Sequence, residues 1–232
     1  MNCPILIPFF NQPTYLRNML SQLESLGLRE SVIVVDNLST YPPAVALLDE
    51  LEATGIEVLR WCENRGPRMI FRDEALMARM PQYYCITDPD LELNPDLPRN
   101  FVEVLAQATE SYMVGKAGFA LDISDRNRMK TGLYDHGPGV RCPIWEWEER
   151  FWTPDKCVGM TADGAPVYST IVDTTFACYN KRFFRIGNCI SGVRVGGHYT
   201  ARHLPWYRES IVPAEEETFY AQAAKWSEYA AR

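Results

Sequence analysis

No stretch of this chain approaches the roughly 20 consecutive apolar residues needed to span a bilayer, so no membrane-crossing helix is expected. The N-terminus, MNCPILIPFF, has no positively charged segment, and polar Asn11 and Gln12 follow its short apolar run at once. A secretory signal is therefore not expected either. The seven cysteines are odd in number, scattered and without a CxxC pair. That argues against a disulfide framework or a cysteine zinc site, and fits reduced thiols in a cytoplasmic protein. Basic residues are outnumbered, 23 against 30 acidic ones. At a formal charge of −7, nucleic acid is not the expected partner, because phosphate backbones require a basic face. Internal repeats and low-complexity linkers are also lacking. What remains, 232 residues that are 47% hydrophobic, is enough to bury a real core.

The first half alternates strand and helix signals. CPILIPF (3–9), SVIVVDN (31–37), IEVLRW (56–61), YYCIT (83–87) and YMVGKAGFAL (112–121) are short apolar runs that read as strands. Between them, Leu16, Met19, Leu20, Leu23 and Leu26 recur at helical spacing before Gly27, and 42–55 is opened by prolines and closed by glycine. Residues 68–80 and 98–110 predict two further helices. This order implies an α/β fold with a parallel sheet and helices on both faces. Ligands of such sheets sit beyond the carboxyl ends of the strands. There the chain places Asn11, Asp36 with Asn37, Asn64 with Arg65, and Asp88 with Asp90, all on one edge of the sheet. Beyond residue 121 the pattern changes to a long Gly- and Arg-rich loop (122–143), the aromatic and acidic segment IWEWEERFW (144–152), strand-like 167–182 and 193–207, and an alanine-rich helix from about Pro213. One domain with a variable C-terminal part is expected, with that last helix, bearing Phe219, Tyr220, Trp226 and Tyr229, packed on the core.

The sharpest feature is YYCITDPDLELNP (83–95), an apolar strand that ends in two carboxylates one residue apart. Held about 4 Å apart, such groups repel by roughly 1 kcal/mol in water and about 4 kcal/mol at an effective dielectric of 20. A proton, a basic group or a cation must relieve this, and hard cations such as Mg2+ or Mn2+ suit carboxylates combined with phosphate oxygens. A calcium loop fails, because its glycine and glutamate positions hold Leu93 and Arg99. Arg68 and Arg72, four apart on the expected helix, either hold phosphate or form a solvated face with Asp73 and Glu74.

PILIPFFNQPTYL, VIVVDNLSTYPP, ENRGPR and YCITDPDLELNP together resemble GT-A-fold glycosyltransferases, most of all small family-2-like enzymes of capsule and lipopolysaccharide clusters and of large algal viruses. The resemblance covers the first 120 residues and implies one domain whose first 121 residues bind a nucleotide-sugar and whose remainder binds an acceptor. It implies a divalent cation, Mn2+ or Mg2+, at Asp88 and Asp90, with late His203 as a further ligand and His198 as the alternative. Asp36 would contact the nucleobase or ribose, and Pro8 and Asn11 would line the nucleoside pocket. Asn64, Arg65, Arg68, Arg72 and Asp88 would belong to the donor site. Arg202 would reach the diphosphate. Asn37, where many members carry a second acid, departs from the pattern.

Glycosyl transfer with inversion needs a base for the acceptor hydroxyl, and with retention a group on the other face of the sugar. The candidates are Glu146, Glu148 and Glu149, of which Glu146 and Glu149 are three apart near Trp145 and Trp152, and Asp173, a charge in an apolar, β-branched stretch; Glu146, Glu149 and Asp173 are the favoured set. For Glu148 a solvated place on an amphipathic helix is expected at least as much as a role in the reaction, and Lys116 and Asp122 are weaker candidates for sugar or acceptor contact. The expected activity is transfer of a hexose or deoxyhexose from a UDP-sugar to a glycan or glycolipid acceptor, with peripheral membrane contact left open. A nucleotidyltransferase is the second reading, although PFFNQPTYLRN lacks the glycines that cradle a triphosphate. A non-catalytic nucleotide-sugar or glycan-binding module is the third.

Overall fold

Aliphatic and β-branched runs near the N-terminus become strands covered on both faces. The structure, a computed structural model, describes residues 3–137, 139–173 and 175–224. It contains two compact units, Met1–Asp90 with Ile211–Arg232, and Leu91–Ser210.

In chain order the first unit holds β1 (Ile5–Phe9), α1 (Pro13–Ser25), β2 (Val32–Asp36), α2 (Pro42–Ala53), β3 (Glu57–Arg60), α3 (Glu74–Arg79) and β4 (Tyr83–Ile86). The strands pair in parallel in the order β3–β2–β1–β4, with Ile5 opposite Val32 and Cys85, and Ile33 opposite Glu57. Their carboxyl ends therefore share one edge, as the alternation predicts. α1 buries Leu16, Met19, Leu20 and Leu23, the stripe read from its spacing. Gly27, at φ 77°, then lets the chain turn out of the helix.

The single helix expected over 68–80 does not form. Pro67–Arg72 is a 3-10 segment, and Asp73 leaves helical geometry to cap α3, accepting a hydrogen bond from the Leu76 N–H at 2.9 Å. Aspartate prefers that cap to a helix interior. With three residues per turn in the 3-10 segment, Arg68 and Arg72 do not share a face, and both are exposed.

The second unit holds β5 (Leu91–Leu93), α4 (Phe101–Ser111), β6 (Lys116–Leu121), a two-stranded ribbon of β7 (Tyr134–Asp135) and β8 (Arg141–Cys142), α5 (Ile144–Glu149), β9 (Cys157–Met160), β10 (Pro166–Ile171), β11 (Ala177–Asn180) and β12 (Ser191–His203). Its strands run in the order β11–β6–β12–β10–β9, with β5 beside β12. β6 does not extend a parallel run: β11 flanks it antiparallel and β12 parallel. Phe101, Phe119 and Phe176 pack ring to ring beneath α4, with centroids 5.1–5.5 Å apart.

The C-terminal helix α6 (Ala214–Ala223) belongs to the first unit. The buried Glu216 carboxylate accepts from the Thr14 hydroxyl (2.7 Å) and N–H (3.2 Å) at the start of α1, and Phe219 lies 4.8 Å from the Tyr41 ring. Packing on the core is what the sequence predicts for it. Trp226 and Tyr229 lie outside the described residues.

In the second unit Glu148 is not the solvated residue that an amphipathic α5 would give. Its side chain is 5% exposed and pairs at 2.5 Å with Arg194, itself 2% exposed and stacked on Phe151. Removing one partner of a buried pair strands the other charge, so Glu148→Ala is expected to cost about 3–5 kcal/mol in urea unfolding. Exposed Glu146→Ala should stay within about 0.5 kcal/mol. Equal effects of the two would contradict this burial pattern.

Candidate functional site

At the polar edge of the first unit the side chains flagged in the sequence mostly bind the loops themselves. Asn11 sits in the left-handed region at φ 55°, which asparagine tolerates better than most residues. Its Oδ1 accepts from the N–H groups of Thr40 (2.7 Å) and Tyr41 (2.9 Å), and its own N–H donates to the Ser39 hydroxyl (3.0 Å). Its Nδ2 is buried without a hydrogen-bond partner among the described residues. Buried donors are rarely left so, and a ligand or water would satisfy it.

Asp36, 4% exposed, accepts from the Ser39 N–H through both carboxylate oxygens (3.0 and 3.3 Å). Burial pushes its pKa up, and the Ser39 bonds work against that rise. Asn37 donates to Asn64 Oδ1 (3.0 Å) and accepts from the Arg65 N–H (2.8 Å), while Asn64 Oδ1 also accepts from the Gly66 N–H (3.1 Å). The Arg65 guanidinium lies 5.2 Å over the Trp61 ring and pairs with Glu63. Pro8 is half-buried in β1, in register with Val35.

β4 delivers the acidic pair to the same edge. The Thr87 N–H bonds the Leu6 carbonyl, continuing the ladder, and the chain then turns at Pro89 and Asp90. One carboxylate oxygen of Asp88 and one of Asp90 lie within 4.8 Å of each other. Burial pushes Asp90 up to about 7. Two converging carboxylates, one of them reluctant to ionise alone, form a donor set that a hard divalent cation fits.

The second unit sorts the remaining candidates. Glu146 and Glu149 are 47% and 55% exposed and pair with Arg150 (3.9 Å) and Arg126 (3.1 Å), and Arg126 also covers the Trp145 ring. Asp173 is half-buried and acts electrostatically on both Glu148 and His203. His203 is 2% exposed, with its ring 4.6 Å from that of Trp206. Burial first, with help from Lys130 and against Asp173, pushes it down to about 3, so it is neutral at physiological pH. His198 is exposed.

Arg202, expected to reach the diphosphate, is held instead by Asp125 (3.0 Å), Glu92 (3.2 Å) and Asp122 (3.8 Å). Lys116 is 3% exposed and bonded to backbone carbonyls, which removes it from sugar contact. The Glu148–Arg194 pair was missed. Arg194 lies in the apolar run GVRVGG, where a charge within a strand signals a buried partner just as it does at Asp173.

The profile of glycosyl transferase family 2 matches residues 5–167, more than half of the chain. No curated protein sequence matches it. Among solved structures, the mannosyltransferase PcManGT from Pyrobaculum calidifontis, in complex with GDP-Man and Mn2+, is similar at a TM-score of 0.57 and 12% identity, over 96% of this chain and 60% of that one. GalNAc-T7 with UDP, GalNAc and Mn2+ is similar at 0.53 and 12%, over 94% of this chain and 47% of that one. The chain thus spans less than two thirds of the length of either structure. Its parallel strands, the polar edge they share and this match make the chain a member of glycosyl transferase family 2 with a GT-A fold.

Proposed function

We propose that this chain is a metal-dependent glycosyltransferase, moving a hexose or deoxyhexose from a nucleotide-sugar, with UDP the expected nucleotide, to a glycan or glycolipid acceptor. The observation that carries the reading is the acidic pair, Asp88 and Asp90, delivered by β4 to the edge that also holds Asp36 and Asn11. In this reading Asp88 and Asp90 hold Mn2+ or Mg2+, which when bound supplies a Lewis acid for the departing diphosphate. His203 is the proposed further ligand, and burial keeps its imidazole in the neutral form that ligates metals. That the two structures above contain Mn2+ with a guanosine or uridine diphosphate group supports the same assignment.

Residues 1–121 then form the donor half and 122–232 the acceptor half of one domain. Asp36 and Asn11 orient the nucleoside beside Pro8, and Asn64, Arg65, Arg68 and Arg72 lie on the phosphate side. Of the candidate carboxylates Asp173 is favoured as the base that takes the acceptor hydroxyl's proton, because it is half-buried and acts electrostatically on His203, the proposed metal ligand, whereas Glu146 and Glu149 stand about half exposed on α5.

Calorimetric titration tests the donor site. UDP or GDP is expected to bind in the presence of Mn2+ and not without it, and Asp90→Ala should abolish that binding. His203→Ala should weaken it by about tenfold, the usual scale for loss of a site's supporting group. Failure of both nucleotides to bind with Mn2+ would end this reading.

The proton on Asp90 gives a second check. Between the ordinary carboxyl value near 4 and about 7, the folded chain keeps a proton that the unfolded chain has released. Stability from this group is therefore present at low pH and lost as pH rises toward 7. Without metal, Asp90→Asn is expected to melt about 4 °C or more above wild type at pH 8, with the gap closing toward pH 4. Added Mn2+ should raise the melting temperature of wild type only.

A further inference from the structure

The residue before Asp173 is held from several sides. β10 ends at Ile171 and β11 begins at Ala177, so the carbonyls leaving β10 need partners other than a neighbouring strand. Two buried cations supply them. Arg194 Nε on β12 donates to the Ile171 carbonyl at 2.8 Å, and Lys116 Nζ on β6 donates to the next carbonyl, that of Val172, and to that of Cys189 at 2.5 Å. Arg194 is 1% exposed and Lys116 3%. The Val172 N–H donates in turn to the Ile190 carbonyl at 2.6 Å.

The side chain of Val172, wholly buried, rests on two glycines. A Cβ at Gly118 would lie 2.6 Å from its Cγ1, and one at Gly192 would lie 3.1 Å from its Cγ2 and 2.3 Å from the Lys116 carbonyl oxygen. On the far side of Asp173, the Thr175 hydroxyl donates to the Phe119 carbonyl at 3.2 Å. Burying two cations against backbone oxygens is a costly way to fill a core that methionine or leucine would fill more cheaply. What it secures is the path of the main chain on either side of one carboxylate.

We infer that Lys116 and Arg194, with the glycine socket for Val172, are positioning residues that fix the backbone at 171–172 and thereby aim the Asp173 carboxylate. This rests on the reading of Asp173 as the base of the transfer. Proton abstraction needs heavy atoms at hydrogen-bond reach, and a displacement of about 1 Å costs on the order of 100-fold in rate. The clamp acts on that geometry and leaves the donor edge of the first unit untouched.

Lys116→Met tests it, since the substitution preserves length and removes a buried charge. Arg194 is unsuited, because its loss would strand Glu148. Turnover is followed as release of UDP or GDP from UDP-glucose, UDP-GlcNAc, UDP-galactose or GDP-mannose with Mn2+ and a panel of p-nitrophenyl glycosides, using the fastest pair. The expected result is a kcat lower by about 30-fold or more, approaching the roughly 100-fold scale of a 1 Å displacement, with donor KM within twofold when measured well below the variant's own melting temperature, which the two carbonyls left without a donor lower. Gly118→Ala, which must displace Val172, is expected to show the same split between kcat and KM. An unchanged kcat, or a fall in kcat matched by a rise in donor KM, overturns the clamp. Asp173→Asn separates the two ideas: if it is inactive while Lys116→Met is fully active, the clamp alone fails. If Asp173→Asn keeps wild-type kcat, the base assignment fails and takes the clamp's purpose with it.

Discussion

The polar edge of the first unit depends on side chains that bond to the backbone of neighbouring loops. Parallel strands end together, and each then leaves main-chain donors that no ladder satisfies. Asn11 closes the gap between the end of β1 and the start of α2 by accepting from Thr40 and Tyr41. Ser39 joins Asn11 to Asp36, and Asn37 with Asn64 carries the chain of bonds on to Arg65 and Gly66 beyond β3. Three successive loops are thus fixed by short polar side chains with few rotatable bonds. A donor site built there starts from an ordered frame, which lowers the entropic cost of holding a ligand.

Much of this was legible in the sequence, for physical reasons that also explain what was not. Buried parallel strands must be continuous apolar runs, so β1, β2 and β4 announced themselves, and their polar ends followed from the topology. Helix stripes and a terminal glycine gave α1 for the same reason. The segment 68–80 is not the one helix its spacing predicts because Asp73 competes for a cap, an event set by one side chain and invisible to periodicity. Arg68 and Arg72 lost their shared face with it.

The second unit was read less well, since its contacts join residues distant in sequence. Spacing put Glu146 and Glu149 on one face of α5 but could not say which face met the core. Burial of Glu148 is decided by Arg194, 46 positions away. Arg202 was assigned to phosphate because it precedes His203, yet Glu92, Asp122 and Asp125 surround it. Composition says how many charges a chain has. Only the fold says which of them neutralise one another.

The path of the chain also bears on the order of its synthesis. The first unit is discontinuous: α6 returns after residue 210 to place Glu216 on Thr14 at the start of α1. On a ribosome adding ~5–20 residues per second, making residues 91–210 takes roughly 6–24 s. Throughout that interval β1, β2 and β4 are available to pair while α1 waits for its cap and Tyr41 for Phe219. The nascent first unit must therefore persist with a helix end and an aromatic ring exposed to solvent, until a helix from the far end of the chain emerges to cover them.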